Sequence, residues 1–360
     1  MIDLRDYGWD AEFAALFEAC GGRGLSPARV VMQSRDMSTL VTRNGELSGE
    51  VSGGFRHRAL RPADYPAVGD WVAIAPCGSD RALIQTLVPR RSAFTRKAAG
   101  EVVEAQVVAA NVDTVFLVSG LDGDFSLRRI ERYVTTAWAS GADPVIILNK
   151  ADLRPDLPDV VAAAGRVAPG VSVVAASAMT LDGLKGIEPF LIAGRTIAFL
   201  GSSGVGKSTL INRLLGEERF PTAAVSDAAA GRGRHTTAAR ELVRLPGGAL
   251  LIDTPGMREL QLWADDEGLD RAFDDIDRIA SRCRFPDCLH DQEPGCAVRA
   301  AVTEGNLDAR RLDSYIKLRR ELRFLELKKD AKTRRQQEKA AGRRFAAQLK
   351  EVKKHKPRYQ

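Results

Sequence analysis

The sequence has little of what a secreted or membrane protein needs. Its 360 residues hold five cysteines, an odd number that argues against a disulfide framework. Cys20 and Cys77 stand alone and read as ordinary small, partly buried residues. No uninterrupted apolar run approaches the roughly 18 residues that a membrane span requires. The opening Met1-Ile-Asp-Leu-Arg-Asp is polar and partly acidic, without a signal-peptide core. A soluble cytoplasmic chain, with no membrane partner, is the expectation. Extensive disorder is disfavoured as well, because 44% of the residues are hydrophobic and 28% charged. The length suggests two or three domains.

The net charge of +6 hides an asymmetry. Between Lys317 and Arg358 lie 17 Lys/Arg and 5 Asp/Glu, a local balance of +12, so the rest of the chain sums to −6. A mildly acidic body with a basic C-terminal end fits nucleic-acid contact through that end, with a solvated surface helix as the alternative.

Five stretches differ in texture. Residues 1–28 read as a helical or loosely ordered leader. Residues 29–100 carry short alternating segments, Arg29–Gln33, Thr39–Thr42, Glu50–Val51 and Asp70–Ile74, with turn signals at Asn44-Gly45 and Val68-Gly69. That spacing predicts a small β-barrel of OB-fold size; RNA binding and a purely structural role are both open to it. Residues 101–262 become α/β, with apolar strands expected at 114–118, 144–148, 171–174, 196–200 and 249–252. Leu127, Ile130, Val134 and Ala137 fall on one helix face, and Leu184, Ile187 and Leu191 on another. Such alternation predicts a mostly parallel sheet covered on both faces, with ligands at the strands' C-terminal ends. Residues 263–328 are helical around a Cys/His cluster, with Tyr315, Leu318, Leu322 and Leu325 spaced to face a core. Residues 329–360 form a basic extension.

The sharpest signals lie at the ends of those strands. Gly201-Ser202-Ser203-Gly204-Val205-Gly206-Lys207-Ser208 follows a strand and precedes a helical pattern, the context a phosphate loop requires. Lys207 is expected to neutralise β- and γ-phosphate oxygens, Ser208 to ligate Mg²⁺, and Thr209 to sit near the α-phosphate. Asp253-Thr-Pro-Gly256 would hold the metal through water at Asp253 and sense the γ-phosphate at the Gly256 amide. Asn149-Lys150-Ala151-Asp152 favours GTP over ATP, because the Asp152 carboxylate pairs with N1–H and the 2-amino group of guanine, and adenine lacks that amino donor. Asn149 would support the ring edge and the neighbouring backbone, Lys150 would stack its stem on the base, and Ser177-Ala178 would present backbone N–H to the guanine carbonyl. The base readers precede the phosphate loop, the reverse of the ordinary order. The chain is similar to a circularly permuted GTPase.

What is missing after Gly256 matters too. Many GTPases place a water-orienting Gln there; here the residue is Met257, which can neither donate nor accept in that way. His235, in Gly231-Arg-Gly-Arg-His-Thr-Thr237, is the candidate catalytic group; a loop histidine or an RNA contact among arginines is the alternative. Thr237, in preference to Thr236, would complete the Mg²⁺ shell.

Cys283-x4-Cys288-x-His290-x5-Cys296 supplies three thiolates and an imidazole within 14 residues, a set suited to one structural Zn²⁺ per chain with no open coordination position. The cluster follows the γ-phosphate sensor closely in sequence, so the permuted order would pass switch movement into the C-terminal module.

Motif order, the Gly-Arg-His-Thr-Thr segment, the non-Gln residue after Asp-Thr-Pro-Gly and the Cys/His spacing together resemble the ribosome-small-subunit-dependent GTPase A (RsgA) family over nearly the whole chain. The resemblance implies an OB-fold barrel, a permuted P-loop GTPase domain and a zinc-binding helical domain. It also implies hydrolysis of GTP to GDP, stimulated by the 30S subunit late in its maturation, with 16S rRNA contacts through the barrel and zinc domains and His235 as the catalytic histidine. A monomer is expected. The competing expectations are an RNA-binding module that uses GTP only as a conformational ligand, and a permuted GTPase of the large subunit.

Overall fold

The computed structural model describes residues 1–34, 37–97, 105–123, 125–220, 240–253, 266–291 and 293–323. They fall in two compact units, Met1–Asp274 and Asp275–Gln360.

The first unit begins with a segment that is far from loose. A single 3-10 turn, Leu4–Tyr7, precedes helix α1, Ala11–Ala19, whose start is fixed by Asp10: its carboxylate accepts the Phe13 N–H at 2.9 Å. Phe13 and Phe17, one helical turn apart, are both buried, and Trp9 sets its ring edge-on to Trp71 at 4.7 Å. The leader thereby packs on the barrel.

Strands β1 (Ser26–Gln33), β2 (Ser38–Thr42), β3 (Gly45–Val51), β4 (Trp71–Pro76) and β5 (Arg81–Leu87) run in the order β1-β2-β3-β5-β4, and β4 pairs back onto β1 from Ser26↔Ile74 to Arg29↔Trp71. A closed five-stranded ring of this order is the expected OB-type barrel. Its interior is Ala28, Val30, Leu40, Val72, Ile74, Ala82 and Ile84, closed by Phe55 from helix α2 (Gly53–Arg58). A two-stranded hairpin, β6 (Ala93–Lys97) with β7 (Ala105–Ala110), follows.

Five parallel strands then carry the α/β layer. In sheet order they are β10 (Ser172–Ala175), β9 (Asp143–Asn149), β8 (Thr114–Gly120), β11 (Thr196–Leu200) and β13 (Leu250–Asp253). Each lies within two residues of its sequence expectation. Both faces are covered: Leu117, Ile146, Leu148, Ala198 and Leu200 pack with helices α3 (Leu127–Ala139) and α4 (Leu157–Val167) on one side, and Phe116, Val145, Ile147 and Phe199 pack with helix α5 (Lys207–Leu215) on the other. Burial on both sides is why these strands read as unbroken apolar runs. Strand β12 (Arg240–Arg244) adds antiparallel to β13 and meets β1 at Met32↔Glu241 and Gln33↔Arg240, so barrel and α/β layer share one sheet of eleven strands.

One expected helix fails. Leu184 opens one 3-10 turn, Leu184–Gly186, while Ile187 and Leu191 cap that turn and the next, Glu188–Phe190. Pro189 lacks an N–H to continue a helix, and Gly183 and Gly186 start and end the first turn.

The second unit contains a helix at Asp274–Ala280 that extends from its boundary, a helix at Ala297–Thr303 and a helical stretch over 309–323. Tyr315 and Leu322 are buried in it as expected, and Leu318 is half-buried; Leu325 and the basic extension lie outside the described residues.

Candidate functional site

The parallel strands deliver their loops to one edge. Gly120, Asn149, Ser177, Gly201 and Asp253 all stand at or just beyond strand C-termini, as the general rule for open α/β sheets requires.

Asn149 ties three of these loops together. It is 2% exposed; its amide nitrogen donates to the Val205 carbonyl at 2.8 Å, inside the phosphate loop, and its amide oxygen accepts the Ala178 N–H at 3.1 Å. A flipped amide would set donor against donor and acceptor against acceptor, so this orientation is the one the partners allow. Ser177 is buried as well, and its hydroxyl accepts the N–H groups of Met179 and Thr180 at 3.3 and 3.2 Å, which holds the turn after β10 in place.

Lys150 takes φ 64°, a left-handed conformation that a lysine adopts at a cost, and so turns its side chain back over the phosphate loop. Its ammonium donates to the Gly204 carbonyl at 2.9 Å and pairs with the Asp122 carboxylate. Asp152 follows in the 3-10 turn Ala151–Leu153 and is solvent-exposed, with its carboxylate free of the buried network around Asn149.

The phosphate loop runs from the end of β11 to the start of α5. Gly201 has no room for a side chain, since a Cβ would sit 2.3 Å from the Val118 carbonyl; at Gly206, with φ 93°, it would sit 2.3 Å from the Asn149 amide nitrogen. The Lys207 ammonium donates to the Gly201 carbonyl at 2.6 Å, so the cation is held at the loop it is expected to serve. Ser202 lies 3.4 Å from the Tyr133 hydroxyl on α3, Val205 is buried, and Ser208 and Thr209 occupy the first turn of α5. Ser203 and Gly204 lie at the exposed tip. Asp253 closes β13, paired in register with Glu241. Its side chain, together with Gly256, Met257, His235, Thr236 and Thr237, lies outside the described residues.

Sequence reasoning missed two members of this edge, Asp122 and Tyr133. Asp122 lies two residues past β8, and a carboxylate at a strand tip beside four other loops was the available signal. Tyr133 comes from a helix face and left none.

In the second unit, one ligand atom from each of Cys283, Cys288, His290 and Cys296 lies within 4.8 Å of every other. Cys283 Sγ is 3.9 Å from Cys296 Sγ, and His290 Nδ1 is 3.7 Å from Cys283 Sγ and 3.4 Å from Cys296 Sγ. A tetrahedral ion with metal–sulfur bonds near 2.3 Å and metal–nitrogen bonds near 2.0 Å separates sulfurs by about 3.8 Å and sulfur from nitrogen by about 3.5 Å. The spacing therefore fits a metal ion, with Nδ1 as the imidazole donor. The supporting contacts fit too: the Arg299 N–H reaches Cys296 Sγ at 3.5 Å, and Arg319 donates to the Cys288 carbonyl at 3.3 Å. Burial holds His290 below its ordinary value, which favours the neutral imidazole that a metal requires.

A parallel sheet whose Asn149–Asp152 and Ser177-Ala178 loops, expected to read guanine, come earlier in the chain than its phosphate loop has the motif order of a circularly permuted GTPase. The RsgA GTPase family model matches residues 87–263. The small ribosomal subunit biogenesis GTPase RsgA of Opitutus terrae is 49% identical over 330 residues, covering 89% of this chain and 90% of the relative. Its counterpart in Streptomyces coelicolor is 43% identical over 346 residues, covering 95% and 93%. Among solved structures, YjeQ from Thermotoga maritima superposes with a TM-score of 0.63 at 27% identity over 82% of this chain and 98% of that one. YloQ, described as a circularly permuted GTPase, gives 0.62 at 26% identity over 83% and 95%. The chain belongs to the RsgA family of GTPases.

Proposed function

We propose that this GTPase acts on the small ribosomal subunit during its late maturation, binding it in the GTP state and leaving it after hydrolysis to GDP and phosphate. The observation that carries the nucleotide half is Asn149, whose one amide joins the phosphate loop to the guanine loop. The relatives' names, small ribosomal subunit biogenesis GTPase, support the partner.

In this reading Asp152 pairs with the guanine edge and Lys150 lies along the base. Gly201 to Gly206 wrap the phosphates with backbone N–H groups, Lys207 neutralises β- and γ-oxygens, and Thr209 sits near the α-phosphate. Ala178 serves the guanine carbonyl after giving up its bond to Asn149. Ser208, Thr237 and, through water, Asp253 would hold Mg²⁺, which would supply positive charge against the charge that develops on the phosphates. Gly256 senses the γ-phosphate, and His235 positions the attacking water where Met257 cannot. Zn²⁺ at Cys283, Cys288, His290 and Cys296 is structural, because four protein ligands leave no open position. Barrel and zinc module contact 16S rRNA, and the protein works as a cytoplasmic monomer; among the described residues no helix is long and apolar enough to cross a membrane.

Sedimentation with separated ribosomal subunits in a non-hydrolysable GTP analogue tests the partner. Co-sedimentation with the small subunit, lost in GDP, is expected. Equal binding in both nucleotide states, or preference for the large subunit, overturns the reading.

A further inference from the structure

At the N-terminal ends of the parallel strands, away from the nucleotide edge, the first unit holds a half-open cavity of about 220 Å³. It is lined by segments of the leader, the barrel and the α/β layer. Its charged lining is four arginines, Arg5, Arg29, Arg91 and Arg195, against two aspartates, Asp10 and Asp113.

Arg29 is the unusual member. It lies on β1, is 1% exposed, and has no carboxylate within ion-pair distance among the described residues. One guanidinium nitrogen donates to the Thr196 hydroxyl at 3.1 Å and to the Asn111 carbonyl at 3.4 Å, and the group lies 5.1 Å from the centre of the Trp71 ring. Its Nε is buried with no hydrogen-bond partner. Desolvation pushes Arg29 down to about 10, which still leaves it charged at neutral pH. A buried cation with neutral partners and an idle N–H costs several kcal/mol unless an anion accompanies it.

The two aspartates are committed elsewhere. Asp113 accepts from Arg195 at 2.6 Å and from the Thr196 N–H at 2.7 Å, while Asp10 caps α1 and pairs with Arg91. Arg91 Nε is also buried without a partner. Arg5 pairs with Asp3 and Arg91 also reaches Glu12, so the cation left without a carboxylate at the cavity is Arg29.

We propose that this cavity is a binding site for a small phosphate-bearing anion, inorganic phosphate or a small phosphomonoester, held by Arg29 with Arg91 and Arg195. Guanidinium groups match tetrahedral oxyanions through parallel N–H donors. At about 30 Å³ per water, the volume admits such an anion with several waters. Thr196 is the first residue of β11, and β11 runs straight into the phosphate loop, so an occupant would brace barrel and nucleotide domain against each other at the root of that strand.

The test uses the full chain saturated with GDP and Mg²⁺, so that the phosphate loop is filled. Inorganic phosphate and, separately, glycerol 3-phosphate are titrated against chloride at matched ionic strength. Trp9, which lines the cavity, serves as a fluorescent reporter, checked with Trp9→Phe. A saturable change is expected, with a rise in thermal midpoint on the order of 3 °C at ten times the dissociation constant. Arg29→Met abolishes both responses and leaves GDP affinity unchanged. Should Arg29→Met fold poorly, Arg195→Glu at the more exposed edge still weakens phosphate binding at least tenfold. A phosphate response of wild-type size in both variants, or one that chloride reproduces, overturns the proposal. A response to one ligand alone identifies which source the site takes.

Discussion

Replacing Asn149 with alanine should damage nucleotide binding far more than overall stability. The change removes two hydrogen bonds at once and leaves the Val205 carbonyl and the Ala178 N–H without partners in a place where both residues are buried. Each orphaned group costs about 1–3 kcal/mol if it stays buried. Both loops stand at the sheet edge, so they can part and let water in, which spares most of the folding free energy. Re-forming the site around a nucleotide then restores the penalty at the Val205 carbonyl, while the Ala178 N–H pairs with guanine, so GDP affinity should fall by about 1–3 kcal/mol, roughly 5- to 150-fold. Asn149→Asp keeps the acceptor for Ala178 but turns a carboxylate oxygen toward the Val205 carbonyl, and should be no better than alanine. Fluorescent-GDP titration alongside thermal unfolding measures both quantities. An N149A variant that binds GDP within threefold of wild type would refute the claim that this amide assembles the site.

Asp122→Ala should raise the GDP dissociation constant only about two- to fivefold with little change in melting, because its pair with Lys150 is partly solvated; a hundredfold loss in the same titration would give Asp122 a larger role. Asp152→Asn should relax guanine preference and improve binding of xanthine nucleotides by more than about tenfold, since the new amide donates to their 2-oxo group; unchanged selectivity in a competition assay would remove Asp152 from base reading. Cys288→Ser should release a metal present at one per chain, expose the second unit to protease and leave GDP affinity intact; metal analysis and limited proteolysis decide it. The Arg91 guanidinium holds the Asp10 carboxyl below its ordinary value of 3.8. That stabilisation is complete above the ordinary value and is lost as pH falls through the lower folded one, so Asp10→Asn should flatten the acid limb of a stability–pH profile; an unchanged limb would show the pair to be inert.

How much of this was legible depended on where each residue's partners lay. The five parallel strands announced themselves because burial on both faces writes continuous apolar runs, and the turn motifs at their ends carry fixed residue types. Strand β5 was silent: Arg81–Leu87 alternates exposed and buried positions and includes Gln85 and Thr86. Strand β12 begins Arg240-Glu241, a charged segment whose strand character comes from pairing with β13 and β1. Leu184, Ile187 and Leu191 suit either helix type, and the decision fell to Pro189 and two glycines. The leader's packing was half visible in Phe13 and Phe17, but Trp71, which receives it, lies more than fifty residues away. Asn149 was expected to support the ring edge and the neighbouring backbone, not two loops far off in the chain. Its partners stand 29 and 56 residues distant, and no local pattern reports such a bond.

A nucleotide site built in permuted order and driven by a ribosomal partner should reveal that dependence in its turnover. Phosphate release from GTP, measured with the purified chain alone and with separated small or large subunits, tests it most directly. Turnover should be slow alone, strongly accelerated by small subunits only, and no longer accelerated in His235→Ala. Turnover that small subunits leave unchanged, or that large subunits accelerate equally, would contradict it.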